Sequence, residues 1–447
     1  MHQLRSIWRA LQGSLWFLPS LILGLGVIAA VGLVELQSTI DSDLSLRWPR
    51  LFGAGAEGAR GMLSAIATSM ITVAGVVFSI TVVALSLAAS QYSPRLLRNF
   101  MSDRGTQAVL GAFVSIFAYC LIVLRTVRGP DEGAFVPSLA VLGGMVMAFV
   151  GVVLLIYFVH HVASAIQVSS ILERITAETT QAIERLFPDQ VGAPARDDLL
   201  PPSRGEATGG ATVVAAPITG YLVSVDGEAL LEWAEQRTHV VEILPAMGEF
   251  VIAGLPFLRL APAAELAKEE SASLLANFVV ERQRTVHQDA PFGLQQIVDI
   301  AMKALSPGVN DPTTAIACID HLGGLMTVLA GRHIPSACRA RHGVVRVVAR
   351  GPDFASMLSL AFDAVGEHAA DHVEVYERLV ATVGRIALAT GDAGRCAALA
   401  GQLEIIVACA ERGGIPLHRR TRFAALCDGE RRRIAVAAAG APPPTPR

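Results

Sequence analysis

The sequence predicts a mainly α-helical protein in which a four-helix transmembrane domain is followed by a small β module and a helical cytoplasmic domain. Hydrophobic residues make up 52% of the 447 residues and charged residues only 17%, whereas soluble domains carry about 25% charged residues. The apolar excess is concentrated before residue 165. Short β-branched runs separated by Gly and Pro follow from residue 211, and helical periodicity follows from residue 262.

Four apolar segments predict the membrane spans, because about 20 apolar residues cross the hydrocarbon core of a bilayer. They cover residues 16–34, 63–89, 107–124 and 136–159 of a transmembrane domain at 1–165. The first segment is too long for a signal peptide. None of the four contains Asp, Glu, Lys or Arg. Ion-coupled carriers usually place an ionisable side chain within a span, so this composition argues against a proton-driven transporter and leaves a channel possible.

The orientation of the spans follows only weakly from charge. An even number of spans places both termini on one side, but the arginines are divided almost equally between the loops of the two sides, so the positive-inside rule decides little. The six cysteines form no C-x-x-C pair and are expected to be reduced, buried thiols. These thiols and the large C-terminal region favour the cytoplasm for both termini.

The second span carries one face of small and polar residues, the polar stripe. At about 100° per residue its members fall in one narrow sector, with Val82 interrupting the edge and Thr81 on the apolar side. Two interpretations remain open: close helix packing, in which small residues and hydroxyls meet another helix, or the lining of a hydrated path in an oligomer. The members of the stripe are Ser64, Thr68, Thr72, Gly75, Ser79, Ser86 and Ser90.

Beyond the fourth span, helical spacing continues and predicts a stalk at 166–187, which Pro188 ends. Residues 188–210 are rich in Pro, Gly, Ser and charge, as is typical of a linker. The run 211–261 reads as a small β module with a short helix at 227–236. Its order "GYLVSVD … VVEILPAMGEFVIAGLPFLRL" resembles the barrel-sandwich modules of biotinyl and lipoyl carriers, but no Lys lies between 189 and 267 to carry a swinging arm. We therefore expect a structural adaptor.

The remainder, 262–436, predicts a helical cytoplasmic domain that begins with one helix at 264–286 and includes a strand at "GVVRVVAR"; residues 437–447 read as a disordered tail. Within this domain, "ALSPGVNDPTTA" at 304–315 joins two predicted helices. Asp before Pro suits a helix N-cap followed by the first helical position, so a purely structural corner explains the residue types. Functional loops use the same chemistry, and a carboxylate- or phosphate-bearing ligand could bind at this helix N-terminus. The residues of this candidate ligand corner are Arg282, Arg284, Ser306, Asn310 and Asp311.

Two long stretches carry a resemblance to a known family. "FGLQQIVDIAMKALSPGVNDPTTAIACIDHL" and, at the second span, "VVFSITVVALSLAASQYSPRLL" resemble an uncharacterised bacterial membrane-protein family, domain of unknown function family 2254. The resemblance extends to the layout of the whole chain. It implies a multi-pass protein of the bacterial inner membrane with no established activity, and it supplies no catalytic residues.

The function classes are narrowed by what the sequence lacks. No nucleophile–base order, metal-ligand spacing, phosphate loop or nucleic-acid motif is present, and the net charge is −3, so we expect no catalytic residues, no metal, no cofactor and no nucleic-acid partner. The expected partners are the lipid bilayer and further copies of the chain. The first hypothesis is an oligomeric channel-like or transport-regulating protein with a cytoplasmic regulatory region. The alternative is a membrane-tethered sensor or scaffold whose cytoplasmic helices bind a ligand or protein partner.

Overall fold

The structure, a computed structural model, describes residues 16–39, 55–91, 103–129, 135–187 and 210–439. The chain divides into two units, Met1–Ser170 and Ile171–Arg447. Apart from Gly210, the predicted linker at 188–210 lies outside the described residues, as do residues 440–447 of the predicted tail.

The first unit contains four long described helices, and each predicted span lies within or largely within one of them. Helix α3 is the most buried, since it packs against the other three. Its core side chains include Phe113 and Tyr119, and the Tyr119 hydroxyl donates to the carbonyl of Ala140 at 2.6 Å. The predicted helices are therefore confirmed: α1 (Phe17–Thr39), α2 (Ala56–Gln91), α3 (Arg104–Thr126) and α4 (Ser138–Ala165).

These four helices approach one another closely at small residues. A Cβ on Gly143 of α4 would lie 2.6 Å from the Tyr119 hydroxyl oxygen, and one on Gly26 of α1 would collide with the Ser115 side chain. Ser115 in turn donates to the carbonyl of Ile22 at 3.1 Å. Small residues that let backbones approach are the usual means of packing helices in membranes.

Helix α5 (Val168–Leu186), of which all but the first three residues belong to the second unit, covers most of the predicted stalk. It does not continue α4 directly, because α4 ends at Ala165 and residues 166–167 form a turn. Its apolar face is buried within the second unit, where Thr179 fills the space beside Gly293 and Thr176 hydrogen-bonds His321 at 2.8 Å. The segment predicted as a stalk is thus a packed helix of this unit.

Two sheets form the β part of the second unit. The five-stranded sheet has the order β1-β5-β3-β8-β7, antiparallel except where β3 pairs with β8 in parallel, and the three-stranded sheet has the antiparallel order β4-β2-β6. The strands are β1 (Thr212–Ala215), β2 (Gly220–Val225), β3 (Val240–Ile243), β4 (Phe250–Val251), β5 (Pro256–Ala261), β6 (Phe278–Glu281), β7 (Cys338–Arg341) and β8 (Val344–Ala349).

The sheets share one core with a short helix, α6 (Gly227–Gln236), which begins and ends where the sequence predicts. Phe257 of β5 packs edge-to-face on Phe278 of β6 with ring centroids 5.0 Å apart, which joins the two sheets. Three of the strands lie outside the predicted module at 211–261. One of them, β6, corrects the single helix predicted at 264–286, which is instead α7 (Lys268–Leu275), β6 and a 3-10 turn at Val286–Gln288.

The described part of the second unit holds six further helices, among which α8 contributes ten buried residues. They are α8 (Ala290–Ala304), α9 (Pro312–Gly331), α10 (Phe354–His368), α11 (Val373–Ala387), α12 (Ala393–Gly413) and α13 (Leu417–Ala438). Two of them, α9 and α12, are long and apolar enough to cross a membrane by length and composition, as are α1 to α4. The described residues thus hold six candidate spans where the sequence analysis expected four, and length and composition do not by themselves confirm the number four.

Candidate functional site

The polar stripe of α2 faces away from the rest of its own unit. The face of α2 that packs on α3 and α4 is formed by Ala59, Leu63, Ala67, Met70, Ala74 and Val77, all buried. At about 100° per residue this face lies roughly opposite the stripe. Ser64, Thr68, Thr72, Gly75, Ser79 and Ser86 are all exposed, and no atom lies within 4 Å of a Cβ placed on Gly75. The side chain of Ser90 lies outside the described residues.

The hydroxyl groups of the stripe are held along the helix itself. Thr72 donates to the carbonyl of Thr68 at 2.8 Å and Ser79 to the carbonyl of Gly75 at 2.9 Å. Such bonds to the preceding turn are a common way for Ser and Thr to meet their donor requirement in a helix. Each oxygen keeps lone pairs that can accept from water or face a cation. The function of the stripe, either to line a pore or to pack against another helix, stays a prediction.

At one end of the first unit, Asp103 and His161 form a pair that the sequence analysis did not find. The Asp103 carboxylate lies 2.7 Å from His161 Nε2 and caps α3 by accepting from the backbone of Thr106 at 3.1 Å. Tyr157 stacks on the imidazole with centroids 5.3 Å apart. Although burial acts to raise it, hydrogen bonds from Thr106 and His161 hold the pKa of Asp103 below its ordinary value. The spacing of Asp103 and Thr106 is a local signal for a helix N-cap. No local pattern indicates that Asp103 also contacts His161, which lies 58 positions later.

The predicted ligand corner is divided by the structure between the two ends of α8. Arg282 and Arg284 precede the helix, whereas Ser306, Asn310 and Asp311 follow it. A helix of 15 residues is about 22 Å long. The two groups are therefore not neighbours, and any ligand corner at 306–311 lacks the two arginines.

At the first end of α8, Arg284 has a structural partner. It donates to both carboxylate oxygens of Asp289, at 2.8 and 2.9 Å, and its guanidinium lies 4.8 Å from the centroid of the Phe292 ring. Asp289 is 2% exposed and caps α8 by accepting from the Phe292 amide. Burial raises the pKa of Asp289, against the opposing effect of Arg284. Arg282 is exposed and has no polar partner among the described residues.

At the other end of α8, the corner is built by local hydrogen bonds. Asp311 caps α9 by accepting from the amide and hydroxyl of Thr314, at 3.1 and 2.6 Å, as the Asp-Pro pair predicts. Ser306 donates to the carbonyl of Lys303 at 2.6 Å. Asn310 has the left-handed φ of 52°, which Asn tolerates better than most residues, and its side-chain oxygen lies 2.7 Å from His372 Nε2. Ligand binding at this corner stays a prediction.

Comparison with known proteins identifies the family. Residues 12–385 match the family described as "Predicted membrane protein (DUF2254)". The chain belongs to this family. Curated relatives include uncharacterized proteins of Mycobacterium tuberculosis (strain H37Rv) and Mycobacterium bovis, each 34% identical over 422 residues, which are 92% of this chain and 79% of the relative. No solved structure matches the chain.

The match to the DUF2254 family extends over α2, both sheets and the corner, and it ends within α11. This confirms the resemblance expected from the two quoted stretches. The family description supports a membrane protein and assigns no activity or residues.

Other candidate chemistry in this DUF2254 protein is sparse within the described ranges. No group of three or more His, Cys, Asp or Glu side chains there could hold a metal ion. His368 and His372, four apart in sequence, do not share a helix, since α10 ends at His368 and α11 begins at Val373. The six cysteines are free and buried, as expected.

Proposed function

We propose that this DUF2254 protein is a non-enzymatic, channel-like or transport-regulating protein of the bacterial inner membrane. In this proposal several copies assemble so that α2 of each copy turns its polar stripe toward a shared hydrated path. Helices α1 to α4 span the bilayer, both termini lie in the cytoplasm, and the second unit is a cytoplasmic regulatory region.

The orientation of the polar stripe is the observation that carries the proposal. The stripe lies opposite the buried Ala-rich face of α2, so its small and polar residues are not used to pack the helices described within this unit. Its flanks carry exposed apolar residues that suit lipid, among them Phe78 at 57% and Ile80 at 40% exposure. Within a membrane, a polar band between apolar flanks is more favourable against water or another polar surface than against lipid. An oligomer interface provides a polar surface, and a pore provides water.

The four-span topology is supported by where charges lie. Ionisable side chains lie near the ends of α1 to α4 but near the middle of α9 and α12, where they are paired in the second unit: Asp320 of α9 with Arg378 at 3.1 Å, and Glu404 of α12 with Arg431 at 2.8 Å. Half-exposed ion pairs suit a helix at an aqueous surface and are costly within lipid. The free cysteines of the second unit are in keeping with a reducing compartment.

The experiment is cysteine accessibility along α2 of the full-length protein in membranes. Ser79→Cys is treated with a membrane-impermeant methanethiosulfonate. The native cysteines give little background because they are buried. The matched controls are Phe78→Cys and Ile80→Cys, which lie at almost the same depth but about 100° to either side of Ser79. The thiolate is the reactive species and forms readily only in water.

The proposal expects Ser79→Cys and Thr72→Cys to react at least tenfold faster than the two controls, and Thr72→Leu to lower solute or ion flux in reconstituted vesicles without dissociating the oligomer. If Ser79→Cys forms disulfide-linked dimers but resists the hydrophilic reagent, the stripe is a dry helix interface and the channel is excluded. If it does neither, the stripe faces lipid and the oligomer itself is excluded.

A further inference from the structure

A cavity of about 410 Å³ lies in the second unit between the two sheets and α6. Its size falls within the range of about 300–1,000 Å³ that is usual for small-molecule sites. Strand β2 contributes Leu222 from the three-stranded sheet, and β3 and β8 contribute Ile243 and Val347 from the five-stranded sheet. Helix α6 contributes Leu230 and Leu231. We call this cavity the β-module pocket.

The walls of the β-module pocket are aliphatic. Among the described residues, no aromatic ring lines it, although Trp233, Phe257 and Phe278 belong to the core of the same sheets. An aliphatic wall favours a ligand with an alkyl body, because removing the apolar surface of both wall and ligand from water stabilises the complex.

Two arginines and one glutamate give the β-module pocket a polar and, on balance, positive margin. Arg339 of β7, Arg350 after β8 and Glu228 of α6 all line it. The pairing of Arg339 with Val347 in the sheet directs both side chains to the same side, which explains why this arginine borders an apolar cavity. No carboxylate among the described residues pairs with either arginine.

Two other arginines of the β7–β8 hairpin do have a carboxylate nearby. Arg341 lies 3.2 Å from the Glu235 carboxylate, and Arg346 also acts on Glu235 electrostatically. Arg339 instead donates to the backbone carbonyl of Ser336, and its neighbours desolvate it enough to lower its pKa. A guanidinium keeps its charge in such surroundings and presents further N–H donors. The margin of the pocket therefore offers guanidinium N–H donors from which an anion can accept hydrogen bonds.

We propose that the β-module pocket binds an aliphatic monocarboxylate, with its alkyl chain against the partly exposed side chains of Leu231, Met247 and Ala349 and its carboxylate at Arg339 and Arg350. The pattern of apolar walls with a few placed charges is the usual one for a small-molecule site. Arginine is the side chain best suited to a carboxylate, because it can donate two parallel hydrogen bonds. This inference goes beyond the proposed function and holds whether or not α2 lines a channel.

The test is equilibrium binding of radiolabelled decanoate to the full-length protein in lipid nanodiscs, with empty nanodiscs subtracted to remove partition into lipid. The proposal expects saturable binding of one decanoate per chain, and no saturable binding of decanol or decylamine. The variants are Arg350→Gln, which changes an exposed side chain, Arg339→Gln with Arg350→Gln, and Leu231→Trp, which fills the cavity. The matched control is Arg341→Gln on the same hairpin.

Arg350→Gln is expected to weaken binding at least tenfold and the double variant at least a hundredfold, since each substitution removes one charge-assisted hydrogen-bonding partner of the carboxylate. Leu231→Trp is expected to abolish saturable binding, and Arg341→Gln to leave it unchanged. Circular dichroism confirms that each variant is folded. Binding that tracks lipid content alone, equal binding of decanol, or a folded Arg350→Gln protein with unchanged affinity overturns the proposal.

Discussion

Among the described residues, glycines of both units lie against hydroxyl groups, and in the second unit some also lie against carboxylates. In the first unit, Gly26 lies against the Ser115 hydroxyl and Gly143 against the Tyr119 hydroxyl. In the second unit, Gly384 lies against the carboxylate of Glu430, which pairs with Arg433 at 2.6 Å. Gly248, with a φ of 79°, lies against the Arg284–Asp289 pair.

The difference concerns which polar groups each unit buries around the same small residue. Hydroxyls hydrogen-bond the nearest backbone carbonyls and need no counter-ion, which suits helices surrounded by lipid. A buried carboxylate needs a charged partner with a route to water, and burial raises the pKa of Glu430 even with Arg433 beside it. The two units thus share a way of packing, to which the second unit adds buried carboxylates with charged partners.

The largest effect is expected from Asp289→Ala in the second unit. It leaves the Arg284 guanidinium without its carboxylate and removes the cap of α8, so we expect a loss of about 3–5 kcal/mol of unfolding free energy. Hydrogen exchange of peptides from the two units measures this locally. The control Asp320→Ala breaks a half-exposed pair with Arg378 and should cost at most about 1 kcal/mol. Equal costs for the two variants would show that the buried pair is no more important than a surface pair.

The next effect is expected from Gly143→Ala in the first unit. The added Cβ would meet the Tyr119 hydroxyl oxygen at 2.6 Å, and crowding of this kind costs about 1–3 kcal/mol. Thermal unfolding in detergent measures it. Gly32→Ala, which meets nothing within 4 Å, should be neutral or slightly stabilising. If the two variants unfold alike, close approach at Gly143 is not what holds α3 to α4.

A smaller effect is expected at the Asp103–His161 pair, where the first unit uses an ionisable contact at the end of its helices. Asp103→Ala removes both the cap and the carboxylate and should cost about 1–2 kcal/mol. Asp103→Asn keeps a capping oxygen and should recover part of that loss. Thermal unfolding of both variants separates the two contributions. Full recovery by Asn would mean that the contact with His161 adds nothing to stability.

The smallest effect is expected at Asp311, the cap of α9. Hydrogen bonds from the side chain and backbone of Thr314 lower the pKa of Asp311, so the ionised form stabilises the fold at neutral pH, and this stabilisation is lost as pH falls below about 3.9. Asp311→Ala should cost about 1 kcal/mol at pH 7 and lose this contribution to acid sensitivity. Unfolding curves from neutral pH down to about pH 2 test this, because the loss lies below the ordinary pKa of Asp. If the variant shows the same pH dependence of unfolding as the unmodified protein, Asp311 does not contribute to the loss of stability in acid.

Features set by local sequence were predictable. The apolar runs predicted the helices α1 to α4, the Asp-Pro pair predicted the start of α9, and α6 was predicted at 227–236. Burial of all six cysteines also followed from residue type.

Features that depend on distant residues were not predictable. Strand β6 was predicted as helix, because its strand character depends on pairing with β2, about 55 residues earlier, where Leu222 meets Val280. The contact of Asp103 with His161 also joins separate helices. For the candidate ligand corner, proximity in sequence was misleading, because α8 separates the arginines from residues 306–311. Arg284 instead forms hydrogen bonds with Asp289.

The parallel pairing of β3 with β8 has a practical consequence for dissecting the protein. Strand β8 lies about 100 residues after β3 in the sequence, with α8 and α9 in between. It pairs with the edge of β3 from Val241 to Ile243. Truncation at residue 262 would strip that edge and leave backbone donors and acceptors open to pairing with other molecules, a known cause of aggregation. A fragment of the second unit should therefore start before α5, whose apolar face packs in this unit, and retain the hairpin at 338–349.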